Sequence, residues 1–206
     1  MVSTEIDLIK QAKLGSVQAF ECLVLQYQRQ VYSVAYRFMG NHEDASDLAQ
    51  EAFLRAFQSI GKFREEASFK TWIHHIVANA CRDELRRQNK HPVSSLDEPV
   101  FMEDNEVYRQ AVDWSMAPER LYEEKEIQAY LHNLINGLTP EFRMVVVMRE
   151  LQGFSYEEIA TIMECSLGTV KSRLSRARQA LRERIVADRE LLSKGTRLIK
   201  QKGGTP

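Results

Sequence analysis

The sequence predicts an all-α protein of two helical domains joined by a flexible linker. Apolar residues recur at helical spacing through most of the chain, and glycines and capping residues punctuate those runs. Between Val93 and about Glu119 the pattern lapses, and Asp97, Glu98, Pro99, Glu103, Asp104, Glu106, Asp113 and Pro118 accumulate. The 206 residues, 44% of them apolar, suffice for one or two domains of ordinary size. A formal net charge of -1 conceals a basic C-terminal stretch balanced by acidic residues in the middle.

Thr4 and Asp7 form a capping box that opens a short helix ended by Gly15. A long helix follows from Val17 to Met39, with Phe20, Leu23, Tyr27, Val31, Val34 and Phe38 on its apolar side and Gly40 as its C-terminal cap. Asn41 caps a third helix reaching Ile60 and Gly61, where Glu43 and Asp44 suit the positive end. Ala45, Leu48, Ala49, Ala52, Phe53, Ala56, Phe57 and Ile60 share its apolar face. On the other face Asp47, Gln50, Glu51 and Gln58 surround Leu54, which periodicity leaves exposed. Such a leucine is either an ordinary surface residue or a partner's anchor.

Ser68 is the expected cap of a fourth helix carrying Phe69, Trp72, Ile73, Ile76, Val77 and Ala80 and ending in Arg82-Asp83-Glu84-Leu85-Arg86-Arg87. Basic residues suit the negative end of a helix dipole, and aromatic residues beside them suit single-stranded nucleic acid; residue types alone leave both open. His91-Pro92 closes this block. Helical pattern resumes from Leu121 to Ile135, with Leu131 and Leu134 ahead of Gly137, and restarts at Thr139-Pro140, with Thr as cap and Pro at the first helical position. Phe142, Val145, Val146 and Leu151 pack that helix before Gly153 ends it. The expected domains are 1–92 and 121–190, with the linker at 93–120 and a basic tail at 191–206.

The most informative stretch is Ser155 to Leu181. A capping box of Ser155 and Glu158 opens one helix, Glu164-Cys165-Ser166 makes a turn, and Ser166 caps a second helix whose Val170, Leu174, Ala177 and Leu181 point inward. Opposite them lie Ser172, Ser175, Arg176 and Gln179, with Thr169 and Lys171 beside them. This is helix-turn-helix geometry with a face suited to the major groove, where Arg pairs with guanine, Gln with adenine, and small hydroxyl residues permit close approach. Lys171, Arg173, Arg178 and Arg182 flank that face and suit phosphates.

Several classes are excluded. The N-terminus lacks a basic start and apolar run, and no segment is apolar enough to span a bilayer, so no direct membrane insertion and a cytoplasmic location are expected. Cys22, Cys81 and Cys165 are not spaced as metal ligands and read as reduced packing residues; adjacent His74 and His75 point in different directions on a helix. No nucleophile motif, metal spacing or phosphate loop stands out, so neither catalysis, nor a cofactor or metal, nor a small-molecule substrate is expected.

These segments together resemble the extracytoplasmic-function group of bacterial RNA polymerase sigma factors, over nearly the whole chain. Asp44 to Phe57 looks like the group's polymerase-binding helix, Phe69 to Arg87 its promoter-melting helix, and Ser155 to Leu181, notably Gly168-Thr169-Val170-Lys171-Ser172-Arg173-Leu174, its C-terminal helix-turn-helix. The resemblance implies a region 2 bundle and a region 4 helix-turn-helix. It implies docking on core RNA polymerase through Asp47, Gln50, Glu51, Leu54, Arg55 and Gln58. It implies capture of the melted minus-ten strand of promoter DNA by the loop from Phe63 to Ser68 and the helix after it, through Arg64, Phe69, Trp72, Asn79, Arg82, Asp83, Arg86 and Arg87. It further implies minus-thirty-five recognition by Thr169, Lys171, Ser172, Arg173, Ser175, Arg176 and Gln179, an anti-sigma factor as partner, and a role in stress response. Holding an unstacked base offsets the few kcal/mol of unstacking, so no fuel is required. The alternative is a stand-alone LuxR-like helix-turn-helix regulator, whose receiver or ligand domain the N-terminal half does not resemble.

Overall fold

The computed structural model describes residues 4–90 and 118–202, with side chains described within 4–88 and 126–189. Most of the expected linker, and residues 203–206 of the expected tail, lie outside the described residues. Among the described residues every regular element is helical: α1 (Glu5–Lys13), α2 (Val17–Met39), α3 (His42–Ser59) with a 3-10 turn at Ile60–Lys62, α4 (Phe69–Lys90), α5 (Pro118–Asn136), α6 (Pro140–Val146) running into a π turn at Val147–Leu151, α7 (Tyr156–Met163) and α8 (Leu167–Lys202).

The local chemistry explains the boundaries. Thr4 and Asp7 cap α1 reciprocally, and the Asp44 amide donates to Asn41 Oδ1 at 2.8 Å to start α3. Gly40 closes α2 at φ 88, where a side chain would be strained and a Cβ would also meet Asn136 Nδ2 at 3.1 Å. Ser68 accepts from the Thr71 amide at 3.0 Å at the start of α4. Thr139 stands at the N-cap of α6 as expected but makes no side-chain capping bond; Pro140 at the first position sets that start instead.

Five expectations are corrected. Phe57 is 37% exposed, because it sits at the rim of the α2/α3 contact with its ring 5.1 Å from Phe20. Leu131 is exposed because α5 meets the core through Leu134 and Ile135. Leu151 is also exposed: the wider π turn adds a residue and carries this side chain off the buried stripe of α6. Cys22 lies outside the inward arc of α2 formed by Ala19, Phe20 and Leu23, and is exposed. By contrast, burial pushes the Cys81 thiol up to about 12, as expected of a packing residue. Finally, α8 continues to Lys202 through the weak repeat after Ile185, taking up most of the expected tail.

The two halves pack against one another. One buried apolar cluster runs from Phe20, Leu23 and Ile73 through Val145, Phe154 and Ile159 to Leu174. At one end of the seam, Arg143 of α6 donates to the carbonyl of Phe38 in α2 and to the carbonyls of Asn136 and Leu138. His132 of α5 stacks on Tyr36 of α2 with centroids 4.9 Å apart. At the other end α4 lies on α7: Lys70 Nζ donates to the Gln152 carbonyl at 3.2 Å and sits 4.5 Å above the Phe154 ring, Thr71 Oγ1 donates to Glu158 at 3.4 Å, and His75 Nε2 meets Glu164 Oε1 at 3.0 Å.

His74 is fully buried in this seam, donating from Nδ1 to the Lys70 carbonyl at 2.7 Å, with its ring 4.8 Å from Phe154. Burial pushes its pKa down to about 4, against the favourable bond to the Lys70 carbonyl and assisted by the Lys70 ammonium. The unfolded chain therefore takes up this proton first. The stabilisation is complete above the ordinary histidine value and is lost as pH falls from about 6.5 towards 4. Urea unfolding is expected to show about 2 kcal/mol less stability at pH 5 than at pH 7.5 from this group. His74→Leu should flatten that part of the profile; an unchanged pH dependence would contradict the assignment.

Candidate nucleic-acid and polymerase interfaces

Three surfaces emerge. On α3, the buried arc of Ala45, Leu48, Ala49, Ala52 and Ala56 turns Asp47, Gln50, Glu51, Leu54 and Gln58 outward. Leu54 is 57% exposed, while Arg55 is partly covered, donating to Glu51 at 2.6 Å and reaching Asp83 of α4 at 3.5 Å. Next to Gln50 a hollow of about 480 Å³ opens between α2 and α3, lined by Val24, Gln28, Tyr32, Ala49 and Phe53.

The second surface is the loop before α4 and the helix itself. Phe63 and Phe69 are buried, their centroids 6.0 Å apart, and Trp72 lies partly buried 4.9 Å from Phe63. Phe69 is 1% exposed and also meets Tyr27 at 5.4 Å, so its ring is core and is withdrawn from the strand-facing set. Arg64 is exposed beside Glu65, whose φ of 61 is uncommon for a non-glycine residue. Lys13 of α1 pairs with Glu65 at 2.6 Å and holds that turn; the pair lowers the carboxyl pKa of Glu65. Sequence reasoning missed this brace because its partners belong to different elements. Along α4, Thr71, His75, Asn79 and Arg82 share one stripe. Arg82 donates to Asn79 Oδ1, and the Asn79 amide nitrogen lies 3.0 Å from His75 Nε2. Beyond them Asp83 reaches Arg86 at 3.9 Å and Arg87 pairs with Glu84 at 2.8 Å. Both guanidinium side chains are 75% exposed, where such pairing contributes little, so Arg86 and Arg87 are available to an external anion.

The third surface is α8. Ser166 accepts from the Thr169 amide at 3.1 Å, and its Oγ lies 2.8 Å from Thr169 Oγ1, so both hydroxyls serve the turn. Val170, Leu174 and Ala177 are buried, whereas Lys171, Ser172, Ser175, Arg176 and Gln179 are exposed and Arg173 is half-buried. Ser172 donates back to the Thr169 carbonyl at 3.0 Å, and Gln179 donates to Glu183 at 2.9 Å. Arg178, expected on phosphate, is held by Glu150 of the π turn through bonds of 3.0 and 2.6 Å, a pairing that raises its pKa. That pairing across 28 residues was invisible to helical periodicity. Among the described residues there is no cluster of three or more His, Cys, Asp or Glu placed to hold a metal ion, and no helix long and apolar enough to cross a membrane.

Family comparisons match this layout. Residues 23–91 match the Sigma-70 region 2 family and residues 128–181 the Sigma-70 region 4 family. The RNA polymerase sigma-H factor of Pseudomonas aeruginosa is 37% identical over 185 residues, covering 88% of this chain and 94% of the relative. The chain belongs to the extracytoplasmic-function group of sigma-70 factors. A second relative, the ECF RNA polymerase sigma-E factor of Escherichia coli K12, is 35% identical over 182 residues, covering 88% of this chain and 94% of its own length. Two solved structures share the fold. CnrH in complex with the cytosolic domain of CnrY has a TM-score of 0.64 at 24% identity, covering 89% of this chain and 97% of that one. The sigma factor RpoE of Bartonella quintana in complex with the anti-sigma factor NepR has a TM-score of 0.62 at 24% identity, covering 84% and 99%. The protein is thus a sigma factor directing transcription initiation, which sets aside the stand-alone regulator. In this sigma factor most of α2 with α3 and α4 lies in the region 2 match, and the end of α5, α6, α7 and the first part of α8 lie in the region 4 match.

Proposed function

We propose that this sigma factor docks on core polymerase through Leu54 and its polar surround, captures the melted minus-ten strand with the loop at 63–68 and α4, and reads the minus-thirty-five duplex with α8. It works without chemistry of its own, in the cytoplasm, under control of an anti-sigma factor. Its domains are 1–92 and 121–190, and the acidic segment 93–120 spans between the two promoter elements. The observation that carries the reading is the division of α8: Val170, Leu174 and Ala177 are buried, while Ser175, Arg176 and Gln179 stand exposed opposite them. That leaves a small-residue and guanidinium face free to enter a major groove, flanked by Lys171 for phosphate.

On α4, Asn79 offers an amide to a base edge, Arg82, Arg86 and Arg87 offer charge to the backbone, and Trp72 offers the edge of a ring. Asp83 acts by orienting Arg55 and Arg86. Thr169 positions the start of the recognition helix through Ser166, and Arg173 flanks the reading face for phosphate.

Reconstitution tests the whole: core polymerase with this protein should initiate from a defined subset of a promoter library, and unchanged initiation without it would refute the reading. At residue level, Arg176→Ala should weaken a minus-thirty-five duplex by about 1 to 3 kcal/mol and relax selectivity at one base pair. An equal loss on all sequences would make Arg176 a phosphate contact instead.

A further inference from the structure

Residues 64–67, in the loop assigned to the promoter strand, lie between the 3-10 turn at Ile60–Lys62 and the start of α4, with Arg64, Glu65 and Glu66 exposed. Glu65 holds a φ of 61, in the left-handed region that persists at a bulky residue where surrounding contacts over-determine it. A glycine would take that conformation freely, whereas a glutamate there must be held. Among the described residues, the one ion pair or side-chain hydrogen bond that ties 64–67 to another element is Lys13 to Glu65 at 2.6 Å.

The ammonium is delivered by a fixed helix. Ile9 and Ala12 bury one side of α1, and Glu5 accepts from the Tyr27 hydroxyl at 2.8 Å and from the Gln26 amide at 3.0 Å, which fastens α1 along α2. Lys13 stands in the last turn of α1, where a cation suits the negative end of the dipole, and its Nζ also lies 5.7 Å from the ring centroid of Phe63, the buried residue that opens the loop. One side chain thus meets the loop on both sides of Arg64. Yet α1 ends ahead of residue 23, where the region 2 match begins. We propose that Lys13 is a positioning residue for promoter opening: by holding Phe63 and Glu65 it fixes the backbone that carries Arg64, so the loop meets the melted minus-ten strand already ordered. Ordering in advance spares the strand that cost when it binds.

The inference rests on the assignment of the loop at 63–68 to that strand. A second role for the same ammonium predicts the opposite sign. If Lys13 served only to neutralise a carboxylate near phosphates, removing Glu65 would leave opening as fast or make it faster. If Lys13 holds the backbone, removing Glu65 slows opening although a repelling charge has gone.

Opening is read with polymerase carrying the full chain, on a promoter with 2-aminopurine at the captured minus-ten base, whose fluorescence rises as it unstacks. Lys13→Met and Glu65→Met should each slow opening by about twofold to fivefold, the range open to a partly exposed pair. Combined, they should be no slower than either alone, as expected of two partners in one contact. Lys13→Glu with Glu65→Lys should open faster than either of its single substitutions. Lys10→Met removes the same charge from a lysine that acts on Glu65 by charge alone, and should leave the rate unchanged. Polymerase docking and minus-thirty-five duplex binding should hold in every variant.

A Glu65→Met protein that opens at the original rate or faster overturns the proposal, as do additive losses, an equal loss in Lys10→Met, or a reversed pair no faster than its singles. Lost docking or duplex binding also overturns it, because the pair would then serve the fold at large. Arg64→Ala, measured alongside, tells whether the loop assignment has failed with it: a defect in opening keeps the assignment, and full activity removes it.

Discussion

Leu54→Glu is expected to weaken binding to core polymerase by about a hundredfold, while leaving the thermal midpoint of the free protein within a few degrees of the unsubstituted one. The side chain is 57% exposed and ringed by Asp47, Gln50, Glu51 and Gln58, so nothing inside the protein requires it. An apolar anchor amid polar residues is the arrangement in which one contact carries about 2 to 4 kcal/mol of an interface. Substituting a carboxylate removes that contact and adds a charge to be desolvated on docking. Titration of labelled core polymerase by fluorescence anisotropy checks it, with minus-thirty-five duplex binding as the internal reference. A variant that docks normally would remove α3 from the interface, because the same face carries the other proposed contacts.

Leu174→Ala should cost about 2 to 5 kcal/mol of folding stability and abolish duplex recognition at temperatures where the unsubstituted protein still binds. Leu174 is 2% exposed and belongs to the same buried cluster as Ile159, Ile162 and Val170, which holds α8 against α7. Truncation leaves a cavity that α7 and α8, held together by a tight turn, close only in part. Urea unfolding followed by circular dichroism measures the loss, and the mirror-image control is Ser175→Ala on the exposed side, expected within about 0.5 kcal/mol of the unsubstituted protein. A loss below about 1 kcal/mol at Leu174 would mean that the two helices do not depend on one another for their packing.

Local chemistry in the sequence accounts for much of the fold. The capping boxes at Thr4/Asp7 and Ser155/Glu158, the caps at Asn41 and Ser68, and the left-handed glycines at Gly15, Gly40 and Gly153 all act within a few residues of themselves, so their signals survive without knowledge of the tertiary structure. Helical periodicity also separated the buried arc of α3 from its outward face around Leu54. What periodicity could not supply is the partner of each face. Phe57 and Leu131 have the right spacing for a core but lie at its rim, where neighbouring helices cover them only in part, and Leu151 is carried off register by a π turn that leaves no mark in residue type. Phe69 was ambiguous for the opposite reason: an aromatic residue at the start of a basic helix suits either stacking on bases or packing, and only the rings of Tyr27, Phe63 and Trp72 decide for packing.

The seam between the halves was hidden more deeply. Lys70, Thr71 and His75 look like an ordinary solvated face of α4, and their partners Gln152, Glu158 and Glu164 lie more than eighty positions away. Polar residues meeting polar residues produce no apolar periodicity to read.

The guanidinium of Arg143 bears on what happens when such a seam comes apart. Of its three carbonyl acceptors, Phe38 belongs to the N-terminal half, whereas Asn136 and Leu138 travel with the arginine. Withdrawal of α2 strands no charge in an apolar interior: two oxygens remain and water can take the place of the third. The half-buried cation therefore takes two of its three acceptors from its own half, and its hydrogen bonding ties α6 to α2 through the Phe38 carbonyl alone.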